Sequence, residues 1–296
     1  MKITLKQLSV FTTVYRTGSA TLAAEQLALS QSAVSSALQE LERLLDTQLF
    51  ERNGKKLIAT EAAHKLYPQA ISVLSQVADI ENEFRENKTC LYIGASSTIG
   101  NYLLPPLISD FMRAYPNIEI ILHVYNTKEI CLGLKNFDYD LGFIEGMNKF
   151  DELIAHHWRQ DELTLFSAAQ SRFLPNCSDE IELSDLARIP LVLREKGSGT
   201  RETIEQLILS RLNDYRVLQL SHSEAIKQAV SYDFGIGCLS TSVLEDPVKL
   251  GKIRCFGIKG LKLQRSLWLI RHRNKHISPA LQKFIDFCYR TSAPEQ

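Results

Sequence analysis

Three things are scarce in this sequence: surplus charge, long apolar runs and paired cysteines. The 34 Lys and Arg are balanced by 34 Asp and Glu. Attraction to a polyanion is therefore not a whole-chain property, and any nucleic-acid-binding charge must be local. No apolar run approaches the roughly 20 residues needed to cross a bilayer. Met1-Lys2-Ile3-Thr4-Leu5 does not begin a signal peptide. A cytoplasmic chain with no membrane partner is the expectation. The six cysteines, Cys90, Cys131, Cys177, Cys238, Cys255 and Cys288, include no CxxC pair. Their scatter speaks against a metal site and a disulfide framework, and predicts buried free thiols in a reducing compartment. Nothing in the residues calls for a cofactor.

What is present is ordinary in bulk and specific at the N-terminus. The 296 residues, 45% hydrophobic and 23% charged, suit two or more soluble domains. Leu5, Leu8, Phe11 and Val14 fall at three-residue steps and predict a first helix. Gly18-Ser19 ends it, and Ala20, Ala23, Ala24 and Leu27 give a second helix with a small face. Ser30 is a natural N-cap for a third, with Val34, Leu38, Leu41 and Leu45 as its buried stripe. Asn53-Gly54 is a strong hairpin signal, because both positions tolerate positive φ. Its flanks make a small wing carrying Arg52, Lys55 and Lys56. The assembly reads as a winged helix-turn-helix over 1–60, whose third helix suits a DNA major groove.

Ser30, Gln31, Ser32, Ser35, Ser36 and Gln39 start that helix or fall away from its buried stripe, so they are the candidates for base edges and phosphates. Glutamine bonds adenine in bidentate fashion, whereas serine is tolerant. Arg52 and Lys55 on the wing are candidates for phosphate or minor groove. Residues 1–60 carry only a net +2, a weak footprint that a dimer doubles. The bland reading of these residues is a solvated helix start and ordinary surface charge.

Thr60-Glu61 caps a predicted long helix through about Arg85, interrupted early by Pro68. Its apolar stripe implies a partner helix, so 61–88 reads as a linker and dimerisation helix. After Lys88, strands and helices alternate, which predicts an α/β domain over 89–296 with a largely parallel sheet. Ser96-Ser97-Thr98 lies between a strand and a helix, where free N–H groups and hydroxyls suit an anion. Gly197-Ser198, Thr200 and Arg201 repeat that chemistry at a later helix start. Glu145, after the strand Leu141 to Ile144, either orients a donor such as Arg201 or is structural. Arg201 is open to two readings, anion neutralisation or an ion pair on its own helix. His222, before a helix, is either structural or a donor to the ligand. Trp158 reads as core.

The run Leu29-Ser30-Gln31-Ser32-Ala33-Val34-Ser35, with Gly18-Ser19, Ala23-Ala24, Leu41-Glu42 and Leu49-Phe50-Glu51-Arg52, resembles the LysR-type transcriptional regulators. Ser223-Glu224-Ala225-Ile226 and Gly235-Ile236-Gly237 resemble that family's effector domain. Ser96 to Gly100 and Arg194 to Glu202 resemble its sulfur-assimilation and YeiE-like branch. The resemblance covers essentially the full chain. It implies a winged helix, a dimerisation helix, and a two-lobed α/β domain resembling periplasmic solute-binding proteins, with the ligand between the lobes. The implied lobes are 89–163 with 268–296, and 164–267. It also implies a homodimer or homotetramer on an interrupted dyad of double-stranded DNA, responding to a small anionic effector such as a sulfur oxyanion and working with RNA polymerase. One departure is Ser36, where many members carry a basic residue.

Other classes fit less well. An enzyme using Ser198 or Thr200 as nucleophile with His222 as base lacks a nucleophile elbow. A transport-type binding protein is at odds with the N-terminal DNA module, and a thermally inert effector domain would favour an architectural DNA-binding protein with no ligand. A regulator answering an organic carboxylate, or no ligand, stays open as the alternative.

Overall fold

The computed structural model describes residues 2–54, 56–83, 89–174 and 179–291. They divide into two compact units, 1–88 with 274–279, and 89–273 with 280–296.

In the first unit, α1 (Leu5–Thr17) begins with a capping box between Thr4 and Gln7 and ends at Gly18, whose φ of 61° places it in the left-handed region. The second helix, α2 (Ala20–Gln26), buries Ala23 and Ala24, so α1 and α3 approach it closely. Ser30 accepts from the Ala33 amide and starts α3 (Gln31–Leu45), which buries Val34, Leu38 and Leu41. β1 (Phe50–Asn53) and β2 (Lys56–Ala59) form the antiparallel wing. Two ties fix the wing: Glu42 on α3 accepts the Leu49 and Phe50 amides, and the Leu57 amide donates to Gly18. Then α4 (Glu61–Glu83) runs through Pro68 as one 23-residue helix.

The second unit is built on β3 (Thr89–Ser96), β4 (Ile118–Tyr125), β5 (Leu141–Glu145), β6 (Leu153–Ala168), β7 (Glu180–Ile181), β8 (Leu191–Leu193), β9 (Val217–Gln219), β10 (Ile236–Ser240), β11 (Ile253–Ile258) and β12 (Gln264–His272). Its helices are α5 (Leu104–Ala114), α6 (Thr127–Lys135), α7 (Gly199–Leu207), α8 (Ser223–Ser231), α9 (Thr241–Lys249) and α10 (Pro279–Arg290). A π-helical turn, Ile99–Leu103, precedes α5.

The main strand order is β4-β3-β5-β12-β6-β10-β8-β9, with β11 also on β6. The outer pairs are parallel, as an alternating pattern predicts. The centre is not. β6 runs antiparallel to β12 over Leu153 to Glu162, then antiparallel to β10 and β11 over Leu163 to Ala168. The expected largely parallel sheet is thus a mixed sheet, because one long strand is shared by two halves. Those halves are the cores of two lobes. The first buries Ile130, Leu134, Ile144 and Ile270; the second buries Leu165, Leu191, Ile204 and Ile236 on one face and Phe166, Ile226 and Leu244 on the other. Trp158 is buried, as expected, and donates to the Cys288 carbonyl. Cys131, Cys238 and Cys288 are buried and in no disulfide, whereas Cys90 is half-buried and Cys255 exposed, contrary to the expectation; Cys177 lies outside the described residues.

Candidate functional site

Two places gather the chemistry. On the N-terminal unit, α3, the start of α2 and the wing enclose an open hollow of about 640 Å³. Gln31, Ser35 and Gln39, one face of α3 at four-residue steps, line it together with Ser19, Thr21, Arg52 and Lys56. Ser30 is spent on its cap and shares a hydrogen bond with Ser32 at 3.0 Å. Ser36 is exposed on the turn beyond Ser35. The one cation on α3, Arg43, is held by Glu40, so the helix offers amides and hydroxyls rather than free charge. Lys55 lies outside the described residues.

In the second unit, the loops after β3 and β8 meet across the lobes, and an internal carboxylate lies between them. Glu145, at the end of β5, accepts from the Thr98 backbone amide at 2.9 Å and from the Thr200 hydroxyl at 3.0 Å. It is paired with Arg265 at 2.6 Å, and Arg265 also holds Asp161 at 2.7 Å. Arg265 donates further to Thr200 at 2.8 Å and Thr98 at 3.2 Å, and Ser240 donates to Asp161 at 2.6 Å. Every member of this network is buried. Burial opposes the charge on Glu145. The neighbouring Arg265, the Thr98 and Thr200 bonds and the Arg194 charge outweigh it and hold its carboxyl below the ordinary value. Arg265 is held above its ordinary value against the same burial, by Glu145 and Asp161.

The donors on which sequence reasoning placed an outside anion, Thr98 and Thr200, therefore serve Glu145, and Glu145 orients Arg265 rather than Arg201. Gly199 is what permits the approach: a Cβ there would lie 2.1 Å from the Glu145 carbonyl oxygen. Gly197, with φ of 94°, accepts the Lys128 amide from the first lobe. Ser198 is buried at the N-cap of α7 and makes no side-chain cap bond. Arg201 pairs with Glu205 on its own helix, leaving Nη1 buried and without a partner. His222 is exposed before α8.

A second cationic centre was not singled out from sequence. Arg194, only 2% exposed, follows β8 and is gripped through Nε and Nη2 by Glu195. Nη2 reaches Ser97 of the first lobe at 3.1 Å, and Nη1 lies 3.5 Å from Ser223 at the start of α8. Beside Ser97, the Ser96 hydroxyl is buried with no partner. The available signal was an arginine ending an apolar strand, Leu191-Val192-Leu193-Arg194, just ahead of a glycine-rich turn.

Residues 5–64 match the model for bacterial regulatory helix-turn-helix proteins of the lysR family, and residues 85–293 match the LysR substrate binding domain. The chain belongs to the LysR family of transcriptional regulators. The HTH-type transcriptional regulator YeiE of Escherichia coli strain K12 is 44% identical over 295 residues, covering 99% of this chain and 100% of that one. Full-length OxyR from Pseudomonas aeruginosa shares the fold at a TM-score of 0.76 and 21% identity, over 100% of this chain and 99% of its own. The Synechocystis PCC6803 CcmR regulatory domain, solved in complex with 2-PG, is similar at a TM-score of 0.64 and 26% identity, over 70% of this chain and 98% of its own. This LysR-family protein is thus a DNA-binding regulator with an effector-binding domain, not an enzyme. Among the described residues, no helix is long and apolar enough to cross a membrane.

Proposed function

We propose that the chain is a cytoplasmic, homodimeric or homotetrameric regulator whose effector is a small anion held between the lobes at Arg194. The observation that carries this reading is a buried guanidinium reaching hydroxyls from both lobes beside a buried, unpartnered Ser96 hydroxyl. A buried polar group without a partner is rare, and a ligand oxygen is one way to supply it. Glu145 already fills the Thr98 and Thr200 side, so Ser96, Ser97, Arg194 and Ser223 are the donors left for the effector. A sulfur oxyanion suits these donors by charge and acceptor chemistry, and the YeiE relationship agrees with the branch resemblance. The CcmR complex with 2-PG favours an organic ligand as the second reading.

The reading includes a division into a DNA-binding domain over 1–60, a linker helix over 61–88 and an effector domain over 89–296, its lobes 89–163 with 268–296 and 164–267. Gln31, Ser35, Gln39 and Arg52 meet an interrupted dyad, and effector-dependent rearrangement alters contact with RNA polymerase. A ligand acts this way only by binding one arrangement better than the other.

Thermal unfolding of the full chain against sulfite, sulfate, thiosulfate, phosphate and small carboxylates tests the anion. A ligand at a hundred times its Kd stabilises by about 2.7 kcal/mol. The expected result is a shift of several degrees for one anion, lost in Arg194→Met. A flat panel, or a shift that survives Arg194→Met, overturns the assignment.

A further inference from the structure

The two segments that meet at Arg194 meet a second time at the surface, through Tyr102. The turn Ile99–Leu103 is π-helical, closed by the Leu104 amide on the Ile99 carbonyl. Such turns are rare and recur at functional positions. Gly100 lets this one lie against β4, since a Cβ there would sit 2.6 Å from Val124. Tyr102, from the first lobe, packs against the second-lobe cluster of Phe166, Ile226 and Val243. Its hydroxyl donates to Glu224 on α8 at 2.7 Å. Lys227, one turn further along α8 and 12% exposed, donates to the same hydroxyl oxygen at 3.2 Å and to the Val243 carbonyl at 3.3 Å. It is also paired with Glu224 and lies over the Tyr102 ring, 5.6 Å from its centre.

An ammonium carries three N–H donors and no acceptor. Lys227 therefore has all three in use on Glu224, Val243 and Tyr102, and only Tyr102 comes from the other lobe. We propose that Tyr102 is an interlobe latch, a positioning residue that holds α8 against the turn after β3 and so sets how far the cleft closes. Ser223 and Glu224 are neighbours at the start of α8, so the group facing Arg194 and the group facing Tyr102 move together. Parting the lobes strips the Tyr102 hydroxyl of its acceptor and Lys227 of its third partner at once. Burial and Glu224 both raise the Tyr102 hydroxyl above its ordinary value, so it remains a donor throughout the neutral range.

The latch builds on the cleft reading but is tested without any effector, so its failure and that of the anion site are distinguishable. Amide hydrogen exchange of the full chain, free of added anions, is followed over residues 96–103 and 223–231. Tyr102→Phe keeps the ring in place and removes only the hydroxyl; Glu224→Ala removes the acceptor. Each is expected to speed exchange about tenfold in both segments, as loss of a hydrogen bond to a charged group implies. The double variant is expected to fall short of the sum of the two, since both changes remove the same Tyr102–Glu224 bond. If Tyr102→Phe leaves 223–231 unchanged, or if the two effects simply add, the latch is wrong. A sulfite titration of Tyr102→Phe by thermal shift then tests the effect on anion affinity. Weaker apparent binding supports coupling of latch and site, and unchanged binding overturns it.

Discussion

Arg265 shows why the donors at Thr98 and Thr200 do not await an outside anion. Its guanidinium spans two carboxylates and two hydroxyls, all buried, and no sequence pattern announces it, because Glu145 lies 120 residues away. Removing one partner from such a cluster leaves unpaired charge in a poor solvent, which costs about 3–5 kcal/mol. Arg265→Ala is expected to lower the stability of the full chain by that amount in urea unfolding. Substituting Arg265, Glu145 and Asp161 together by apolar residues of similar size is expected to cost less. A single substitution that costs under about 1 kcal/mol would show that the network bears little of the fold. The sequence did reveal Glu145, Thr98 and Thr200 as residues worth noting, but not that their partner is one another. Hydroxyls at a helix start look alike whether they await an outside anion or an inside one.

The elements were legible where one face decides the pattern. The helix Ser223–Ser231 and the hairpin at Asn53-Gly54 were both readable, because Ile226 and Val230 or two turn residues suffice locally. The first half of β6 was not. His156, His157, Trp158 and Arg159 show no clean alternation, and the strand exists through its pairing with β12. Likewise α9 carries Pro247 within it, a residue that argues against a helix from sequence alone. The exposed face of α3 gives the element its own test. Gln31→Ala is expected to lose discrimination between operator and scrambled duplex while leaving non-specific binding intact. Ser36→Arg is expected to do the reverse: it adds a cation, raises affinity for any duplex and steepens the slope of log K against log salt by about 0.9 for one new phosphate contact. Competition binding at several salt concentrations separates the two. An unchanged slope for Ser36→Arg would place that position away from the phosphates.

Across the whole molecule, the charge balance conceals opposite settings. Glu145 and Glu224 are held below their ordinary values, so the stability they contribute is complete above about 4.5 and is lost as pH falls through their folded values. Lys227 is held above its ordinary value, and its contribution is present below the unfolded value and lost as pH rises through the folded one. The unfolding temperature is therefore expected to be flat about neutrality and to fall on acidification. Glu145→Gln is expected to show a shallower acid limb than the parent chain. Coincident acid limbs would mean that other carboxylates set it.

β6 is one strand with three partners, β12 along its first part and β10 and β11 along its second. The lobes are thus connected by extended, hydrogen-bonded backbone rather than by slack linkers. Paired strands resist stretching but accommodate a range of twist, roughly −10 to −35° between neighbours. The connection is in effect a torsion bar. An effector held between the lobes, as proposed, would wind or unwind it on closing them, and the message leaving the cleft would be a rotation rather than a displacement.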